Sequence, residues 1–485
     1  MRFNYKVIGA FLGLLIMING FFMLTCLPIS YYFGEGDEWP LFLSSIIALG
    51  SGFAAWMYCR NSKDKELKKR DGYIVVTLGW LSMSLFGSLP YILSGSIPDY
   101  TNAFFETISG YSTTGATIIT DIEIMPRGIL FWRSLTQWIG GMGIIVLTVA
   151  ILPMLGIGGM QLFVAEAPGI TPDKIQPRIK ETAKRLWLIY LGFTIAESLL
   201  LILAGMNVYD AVNHSLTTTS TGGFSTKNAS IAHYESPLIQ YIIIFFMMLS
   251  GVNFTLSYFA LKGKFKKITG NEEFKNYLKL IVILSVIIGL VIFSITGTTF
   301  EKSFRDALFQ VVSIITTTGY VTADYTSWSP FITIIFFILL FAGGSAGSTA
   351  GGVKIVRHVI LFKNSILELK RQLHPSAVIP VRLNGKAVKQ EITFNVLAFI
   401  MIYIMIFALG SVLMAMIGVD FITAMGSVAT SLGNIGPGVG AVGPLDNFSE
   451  IPAAGKWLLS FLMLLGRLEL FTVLILFTPY FWSRQ

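Results

Sequence analysis

The chain has 485 residues, of which 54% are hydrophobic and only 13% are charged, and its mean hydropathy is +0.69. A soluble chain of this length carries about twice that share of charged residues, so the composition excludes an ordinary soluble protein. The net charge of +8 does not indicate a nucleic-acid partner, because the basic residues lie in short loops between apolar segments.

Apolar segments long enough to cross a bilayer recur along the whole chain. A hydrocarbon core roughly 30 Å thick requires about 20 apolar residues per helix. The predicted helices lie at residues 7–29, 41–59, 73–93, 128–152, 186–206, 238–261, 278–295, 394–417 and 457–481. The first is too long for a signal peptide and lacks a small-residue cleavage site, so we expect it to be retained. The fold class is predicted to be all-α and integral to the membrane.

Basic and acidic loops alternate between these segments. Lys and Arg cluster at residues 60–70, 174–185, 262–279 and 354–389, whereas the intervening loops are acidic or nearly neutral. Short loops rich in Lys and Arg stay on the cytoplasmic side. This pattern predicts a multi-pass protein of the cell inner membrane with both termini cytoplasmic. Most of these lysines are expected to attract anionic lipid head groups.

An internal repeat is the second sequence signal. Four short apolar stretches each end in a Thr/Ser/Gly-rich turn, whose glycine follows an alanine by 12, 11, 12 and 12 residues. Stretches of this length are too short to span a membrane, so they are predicted to be re-entrant half-helices. The predicted organisation is two N-terminal helices in residues 1–70 and pore repeats at 71–165, 166–270, 271–375 and 376–485.

The turns are predicted to form a cation path. The carboxyl ends of four half-helices would converge at mid-membrane and favour a cation, with Asp210 and Asp306 as caps at the outer mouth. Glycine frees the backbone so that carbonyl groups can replace the hydration shell of potassium. The alternative is close helix packing through small residues, but four turns in register favour the path. No organic cofactor is expected. The predicted potassium-binding residues are Thr113, Thr114, Gly115, Ala116, Ser220, Thr221, Gly222, Gly223, Thr317, Thr318, Gly319, Tyr320, Asn434, Ile435, Gly436 and Pro437.

The chain resembles the Trk/Ktr/HKT superfamily of potassium transporters over nearly its whole length. The resemblance rests on these four turns, on the small-residue run 342–352 and on Gly466-Arg467-Leu468-Glu469. The two additional N-terminal helices are similar to those of its TrkH-type members. The resemblance implies four helix–half-helix–helix units around a pseudo-fourfold pore, and gated, channel-like potassium uptake. It also implies a homodimer and a cytosolic nucleotide-binding regulatory subunit (TrkA-like). The fourth turn departs from the pattern, with Asn434-Ile435 in place of Thr or Ser followed by Thr.

Two features predict a gate. Five glycines in the run 342–352 disfavour a continuous helix by nearly 1 kcal/mol each, and broken helices are typical of ion paths. The run is predicted to be a gating loop that depends on Gly343, Gly344, Gly347 and Gly351. Arg467 lies within an apolar helix, where an unpaired charge is costly, so it is predicted to face the pore and bond the loop carbonyls. The alternatives are a tightly packed glycine-rich helix and a purely structural arginine.

A second function class stays open at this point. A potassium symporter coupled to protons or sodium would use ionisable residues within the membrane, and the candidates are Glu106, Glu197 and Glu469. An enzyme is not expected, since the sequence has no nucleophile–base pair, metal cluster or phosphate-binding loop.

Overall fold

The computed structural model describes residues 3–60, 69–151 and 179–483. At the N-terminus, helices α1 (Tyr5–Leu24), α2 (Leu27–Phe33) and α3 (Glu38–Cys59) form an antiparallel pair with a short connecting helix. Small residues allow α1 and α3 to approach closely: a Cβ atom on Gly13 would lie 2.6 Å from the carbonyl oxygen of Gly52. Such contacts are typical of helices packed within a membrane.

The remaining helices form four consecutive units, each with a long helix, a buried half-length helix and a bent or interrupted second helix. The first unit comprises α4 (Lys69–Gly87), α5 (Leu89–Leu93), α6 (Tyr100–Tyr111) and α7 (Arg127–Ile151). The second comprises α8 (Ile179–Leu203), α9 (Val208–Thr219), α10 (Pro237–Ser250), α11 (Phe254–Leu261) and α12 (Phe265–Thr269), with a 3₁₀ turn at Ser230–His233. The predicted boundary between residues 165 and 166 lies outside the described residues.

The third and fourth units repeat this order. The third comprises α13 (Glu272–Thr296), α14 (Phe300–Ile315), α15 (Pro330–Leu339) and α16 (Ile355–Leu373). An antiparallel hairpin, β1 (Arg382–Leu383) and β2 (Lys386–Ala387), precedes the fourth unit. The fourth comprises α17 (Gln390–Met416), α18 (Phe421–Gly433), α19 (Ala453–Arg467), α20 (Phe471–Leu474) and α21 (Pro479–Trp482), with a 3₁₀ turn at Ile475–Phe477.

The half-helices α6, α9, α14 and α18 begin one or two turns earlier than the sequence suggested. Their N-cap side chains each accept a hydrogen bond from a main-chain N–H of the first turn, and these caps are Asp99, Asn207, Thr299 and Asp420. Asp210 and Asp306, which were predicted as caps, lie inside α9 and α14 instead. The prediction was wrong because the cap of α9, Asn207, lies one turn before Asp210. In the third unit the cap Thr299 lies two turns before Asp306, because α14 is 16 residues long whereas the other half-helices have 12 or 13.

Each second helix is broken, not only that of the third unit. In α7, Gly143 has a non-helical φ of 64°. The helices α10 and α11 meet at 107°, and α19 meets the segment from α20 to Phe477 at 110°. The predicted continuous spans 238–261 and 457–481 were therefore wrong. The reasons are local: Asn253 caps α11 by accepting from the N–H of Thr255, while Glu469 and Leu470 adopt left-handed φ values of 57° and 49°.

The lateral surface is apolar, as expected for a protein in contact with lipid. In the described residues, six helices are long and apolar enough to cross a membrane, or up to eight if each bent pair counts as one span. On α13, Val282, Ile283 and Leu290 are all more than half exposed. Backbone hydrogen bonds closed within each helix suit such a surface. The predicted all-α membrane fold is confirmed, apart from the small hairpin.

Candidate functional site

The four Thr/Ser/Gly turns share one backbone conformation. We call residues 113–116, 221–224, 317–320 and 434–437 the ring strands, first to fourth. Their first residues have left-handed φ values of 52° at Thr113, 56° at Thr221, 56° at Thr317 and 54° at Asn434. Their third residues are glycines with φ of 81° at Gly115, 80° at Gly223, 80° at Gly319 and 99° at Gly436. A β-branched threonine is rarely found in this region, and such strain is typical of functional sites.

The ring strands contact one another in a closed cycle. A Cβ atom added to the glycine of each strand would meet the second-residue carbonyl oxygen of the next strand. The distances are 2.2 Å from Gly115 to Gly222, 1.9 Å from Gly223 to Thr318, 1.9 Å from Gly319 to Ile435 and 2.8 Å from Gly436 to Thr114. Only glycine fits these positions. The cycle places four equivalent carbonyl groups around one axis.

This geometry corrects the alignment of the second turn. Gly222 had been paired with the glycines of the other turns, but the left-handed glycine is Gly223, which follows Ala211 by 12 residues as in the other repeats. Gly222 occupies the second position of its strand, and Ser220 lies just before the strand. Two adjacent glycines made the sequence ambiguous by one residue. Phe224, which the sequence analysis omitted, completes the second strand and is buried.

Side-chain hydrogen bonds bridge the seams between units. Between the fourth and first, Asn434 Nδ2 donates to Thr114 Oγ1 at 3.0 Å; within the fourth, the same Nδ2 donates to the Met463 carbonyl at 2.9 Å. Between the second and third, Tyr320 Oη donates to the His214 carbonyl at 3.1 Å. Between the third and fourth, Tyr325 Oη donates to the Gly438 carbonyl at 2.6 Å. The unusual Asn434 thus closes the cycle.

At the remaining seam, between the first and second units, Arg133 of the first unit pairs with a carboxylate of its own unit and also bonds the second unit. Arg133 on α7 donates to Glu106 Oε1 at 2.7 Å and to the Ser225 carbonyl at 3.0 Å. Its guanidinium carbon also lies 3.5 Å from the ring centroid of Phe224. One turn later, Gln137 contacts the second ring strand. Neither Arg133 nor Gln137 was predicted from the sequence, although their i, i+4 spacing in an otherwise apolar helix was the available signal.

Asp210 lies near the N-terminus of α9, at the outer end of the site. Its carboxylate accepts from Thr226 Oγ1 at 2.6 Å and from Tyr234 Oη at 2.7 Å. Burial raises the pKa of this carboxyl, but the hydrogen bonds from Thr226, Tyr234 and Asn207 outweigh burial and hold its pKa below the ordinary value. The group therefore stays ionised at neutral pH, and Lys227 Nζ lies 3.8 Å from its Oδ2.

The 342–352 loop separates α15 from α16 and lies against the inner ends of the ring strands. Thr349 Oγ1 donates to the Thr219 carbonyl at 3.1 Å, and the Gly351 N–H donates to Thr317 Oγ1 at 2.7 Å. A Cβ atom on Gly351 would lie 2.8 Å from the Gly433 carbonyl oxygen. The interruption of this helix, predicted from its glycines, is present, and the packed continuous helix is excluded.

Other elements attach to the same loop from the sides. The Ser345 N–H donates to the Gly251 carbonyl at 2.8 Å, and the Phe254 N–H donates to the Gly347 carbonyl at 3.1 Å. Both partners belong to the bend between α10 and α11. On the third side, Glu273 Oε1 of α13 accepts from the Ala346 N–H at 2.7 Å. The loop is therefore held in place by hydrogen bonds to several units.

Arg467 ends α19 next to this loop. Its guanidinium donates to the Thr349 carbonyl at 2.9 Å, to the Gly141 carbonyl at 3.0 Å and to the Gly140 carbonyl. The predicted contact with a loop carbonyl is present. The two carbonyls of α7 were not foreseen. Arg467 thus joins the loop, the first unit and the fourth unit below the ring strands.

The three carboxyl candidates have different surroundings. Glu106 is held by Arg133 and accepts from the Ile118 N–H at 3.0 Å. Glu469 lies in the bend after α19 and pairs with Arg357 of α16. Glu197 on α8 is fully buried near Thr218, and neither of its carboxyl oxygens makes a hydrogen bond of ordinary geometry.

The chain is similar to members of one known protein family over nearly its whole length. Residues 41–300 and 294–484 match the TrkH family model, described as a cation transport protein. The chain is 41% identical over 484 residues to the Trk system potassium uptake protein TrkH of Escherichia coli K12, covering 99% of both chains. It is 40% identical over 486 residues to TrkH of Halomonas elongata, covering 99% of this chain and 100% of the relative.

A solved structure agrees over the whole length. The crystal structure of the potassium transporter TrkH from Vibrio parahaemolyticus matches with a TM-score of 0.88 and 37% sequence identity, and 100% of each chain is covered. These similarities confirm the family expected from the sequence and a transport protein rather than an enzyme. The chain belongs to the TrkH family of cation transport proteins.

Proposed function

We propose that the chain takes up potassium by passive, gated conduction through the ring strands. The observation that carries this proposal is the closed cycle in which four equivalent carbonyls lie against four left-handed glycines. A ring of carbonyls can replace the hydration shell of potassium. The similar proteins from Escherichia coli and Halomonas elongata are named potassium uptake proteins, which supports potassium as the substrate.

The half-helices supply the electrostatic part of this proposal. Each ring strand follows the carboxyl end of a half-helix, where the aligned peptide dipoles place partial negative charge. In every unit the second-residue N–H bonds back to a half-helix carbonyl, for example Thr318 to Ser313 at 2.8 Å and Gly222 to Thr217 at 2.8 Å. The strands are therefore held by main-chain bonds that do not depend on a bound ion.

The 342–352 loop and Arg467 are proposed as the gate. Through Thr349 and Gly351, the loop contacts the carboxyl end of half-helix α9 at Thr219 and the first residues of the third and fourth ring strands, Thr317 and Asn434. Arg467 places a positive charge on the same side. A cation leaving the ring strands inward would meet both, so conduction requires that the loop and the guanidinium move.

Coupled symport with protons or sodium is the second candidate function. One observation favours it: Glu197 is buried without a cationic partner among the described residues. Glu106 and Glu469 are paired with arginines, which favours structural roles for those two carboxylates. Since coupled transport usually depends on ionisable groups within the membrane, Glu197 is the residue on which a symport mechanism would rest.

The cellular setting is part of the same proposal. We place the chain in the cell inner membrane with both termini cytoplasmic, on the strength of the basic loops. The similar proteins are named as parts of a Trk system, which supports assembly with a cytosolic nucleotide-binding regulatory subunit. A homodimer and contacts with anionic lipid complete the proposed set of partners.

Replacement of Gly319 by serine tests the proposed filter. Its φ of 80° and the 1.9 Å approach of an added Cβ to Ile435 leave no room for a side chain. We expect Gly319→Ser to lower the potassium-over-sodium permeability ratio by about tenfold, or about 1.4 kcal/mol. Reversal potentials of the protein in liposomes measure this ratio.

Gly297→Ser is the matched control. Gly297 also has a left-handed φ, 64°, and belongs to the same unit, but a Cβ there meets nothing within 4 Å. We expect the control to keep the parental ratio. If folded Gly319→Ser protein has the parental potassium-over-sodium permeability ratio, the ring strands do not select the ion.

A further inference from the structure

Gln137 of α7 contacts the main chain of the second ring strand on both sides of Gly223. The side chain is fully buried. Its Nε2 donates to the Gly222 carbonyl at 2.7 Å, and its Oε1 accepts from the Phe224 N–H at 3.0 Å. Because one partner accepts and the other donates, only one orientation of the amide satisfies both. The intervening Gly223 is thus held between two hydrogen bonds.

The two adjacent glycines of this strand face different neighbours. An added Cβ on Gly223 would lie 1.9 Å from the Thr318 carbonyl oxygen, in the third ring strand. An added Cβ on Gly222 would lie 2.3 Å from the side chain of Gln137. Gly223 therefore allows the ring to close, and Gly222 allows the amide of Gln137 to approach. The close approach of Gln137 explains why the second position of this strand is a glycine, whereas the first and third strands have a threonine there.

The contact distinguishes one of the four equivalent carbonyls. The other three belong to Thr114, Thr318 and Ile435, and among the described residues none of these oxygens accepts a hydrogen bond of ordinary geometry. A carbonyl oxygen has two lone pairs, so that of Gly222 can accept from Gln137 and still face an ion. Gln137 then sets the direction of one ligand in the ring.

We propose that Gln137 is a positioning residue for ion selectivity, acting through the Gly222 carbonyl and the Phe224 N–H. The inference rests on the proposed function of the ring strands as a filter. Without the amide, the second strand keeps its main-chain bond from Gly222 to Thr217, but its carbonyl loses a fixed direction. Discrimination between potassium and sodium should fall more than total flux or folding.

Gln137→Met tests this inference, since methionine has a similar length and volume but makes neither hydrogen bond. We expect the potassium-over-sodium permeability ratio to fall by about tenfold, as for the loss of two ordinary hydrogen bonds. The readout is the reversal potential of full-length protein in liposomes. Gln240→Met is the matched control, because Gln240 is a buried glutamine of α10 whose amide donates to the Tyr234 carbonyl at 2.9 Å, away from the ring strands.

The outcomes separate this inference from the proposed filter. A folded Gln137→Met protein with the parental ratio overturns the role of Gln137, provided that Gly319→Ser lowers the ratio. Unchanged ratios in both variants overturn the filter itself. If Gln137→Met does not fold, Gln137→Glu keeps an acceptor for Phe224 and is expected to fold with a lowered ratio. A parental ratio in that variant, or failure of both variants while Gln240→Met folds, shows a purely structural glutamine and overturns the inference.

Discussion

At the residue scale, Arg467 has its charge distributed over carbonyls from two other parts of the chain. Thr349 belongs to the 342–352 loop, whereas Gly140 and Gly141 belong to α7. A guanidinium has five donors in a fixed plane, so it can bond both sides at once. The residue therefore links two structures across the axis, in addition to placing a positive charge there.

Removal of this charge should raise conductance. Two charges about 6 Å apart at an effective dielectric constant near 20 repel by roughly 3 kcal/mol, which is on the order of a hundredfold in occupancy. We expect Arg467→Gln to increase potassium flux per folded molecule by tenfold or more within that range. Arg467→Lys should be intermediate, because it keeps the charge but loses the planar fork. Stopped-flow flux in liposomes measures the effect.

The control for this variant is another buried arginine. Arg305 lies on α14 next to Glu301, away from the 342–352 loop, and Arg305→Gln should leave the flux per folded molecule unchanged. If Arg467→Gln and Arg467→Lys only reduce the yield of folded protein, the arginine is structural and has no part in gating.

Some of these residues could be predicted from the sequence, because the free-energy cost of placing a charge in a membrane can be recognised without a structure. Arg467 is a charge in an apolar helix, so its need for acceptors could be deduced. The partners Gly140 and Gly141 could not, because they are more than 300 residues away in the chain and offer only main-chain groups. Gln137 carries no charge and costs less, and its role depends on which of two neighbouring glycines has a left-handed φ.

At the scale of elements, the 342–352 loop is tied to a bend in another unit. The break between α10 and α11 presents the Gly251 carbonyl and the Phe254 N–H to the loop. Glu273 of α13 adds a third attachment through Ala346. Since these contacts involve main-chain groups of a broken helix, the bend in the second unit positions the interruption in the third.

Shortening the loop within Gly343–Gly351 should raise basal potassium flux in the absence of any partner protein. The change removes the contacts with Thr219 and Thr317 but leaves the ring strands intact. We therefore expect a severalfold rise in flux with the same potassium-over-sodium ratio. Tracer uptake of rubidium and sodium into liposomes gives both quantities. A folded protein with lower flux would identify the loop as packing.

The breaks in the other second helices were harder to predict. Five glycines predicted the interruption of the second helix in the third unit, because together they strongly disfavour a continuous helix. The bend after Arg467 has left-handed Glu469 and Leu470, residues that normally favour a helix. Their conformation depends on tertiary contacts, including the ion pair of Glu469 with Arg357. Segment length and hydropathy alone therefore predicted straight spans.

At the scale of the whole molecule, the arrangement of carboxylates bears on whether transport is coupled. Among the described residues, Glu106 pairs with Arg133 inside the first unit, and Arg133 also donates to the Ser225 carbonyl of the second unit. Breaking a buried pair from one side leaves an uncompensated charge. Such a residue is poorly suited to cyclic protonation. Within the part of the chain that the structure describes, Glu197 has no cationic partner, and it lies near Thr218 of half-helix α9.

Reversal potentials with and without a pH gradient separate conduction from proton-coupled symport. Passive conduction predicts that the reversal potential follows the potassium gradient alone, and that Glu197→Gln leaves it unchanged. A symporter with one proton per potassium predicts a shift when a pH gradient is imposed, which Glu197→Gln abolishes. Glu391→Gln is the control, since Glu391 is an exposed carboxylate at the start of α17. A shift in the parental protein would contradict the proposed mechanism.

The single-chain origin of the ring strands has a consequence for inheritance. In a channel built from four identical subunits, one codon change alters all four positions, so a mildly harmful substitution acts four times. Here each position is encoded separately. Selection can therefore adjust one quadrant at a time, and the strands do differ in their contacts: Gln137 bonds the second, the 342–352 loop bonds the third, and the fourth begins with Asn434. Graded ion preference, intermediate between strict and permissive, becomes accessible through single mutations.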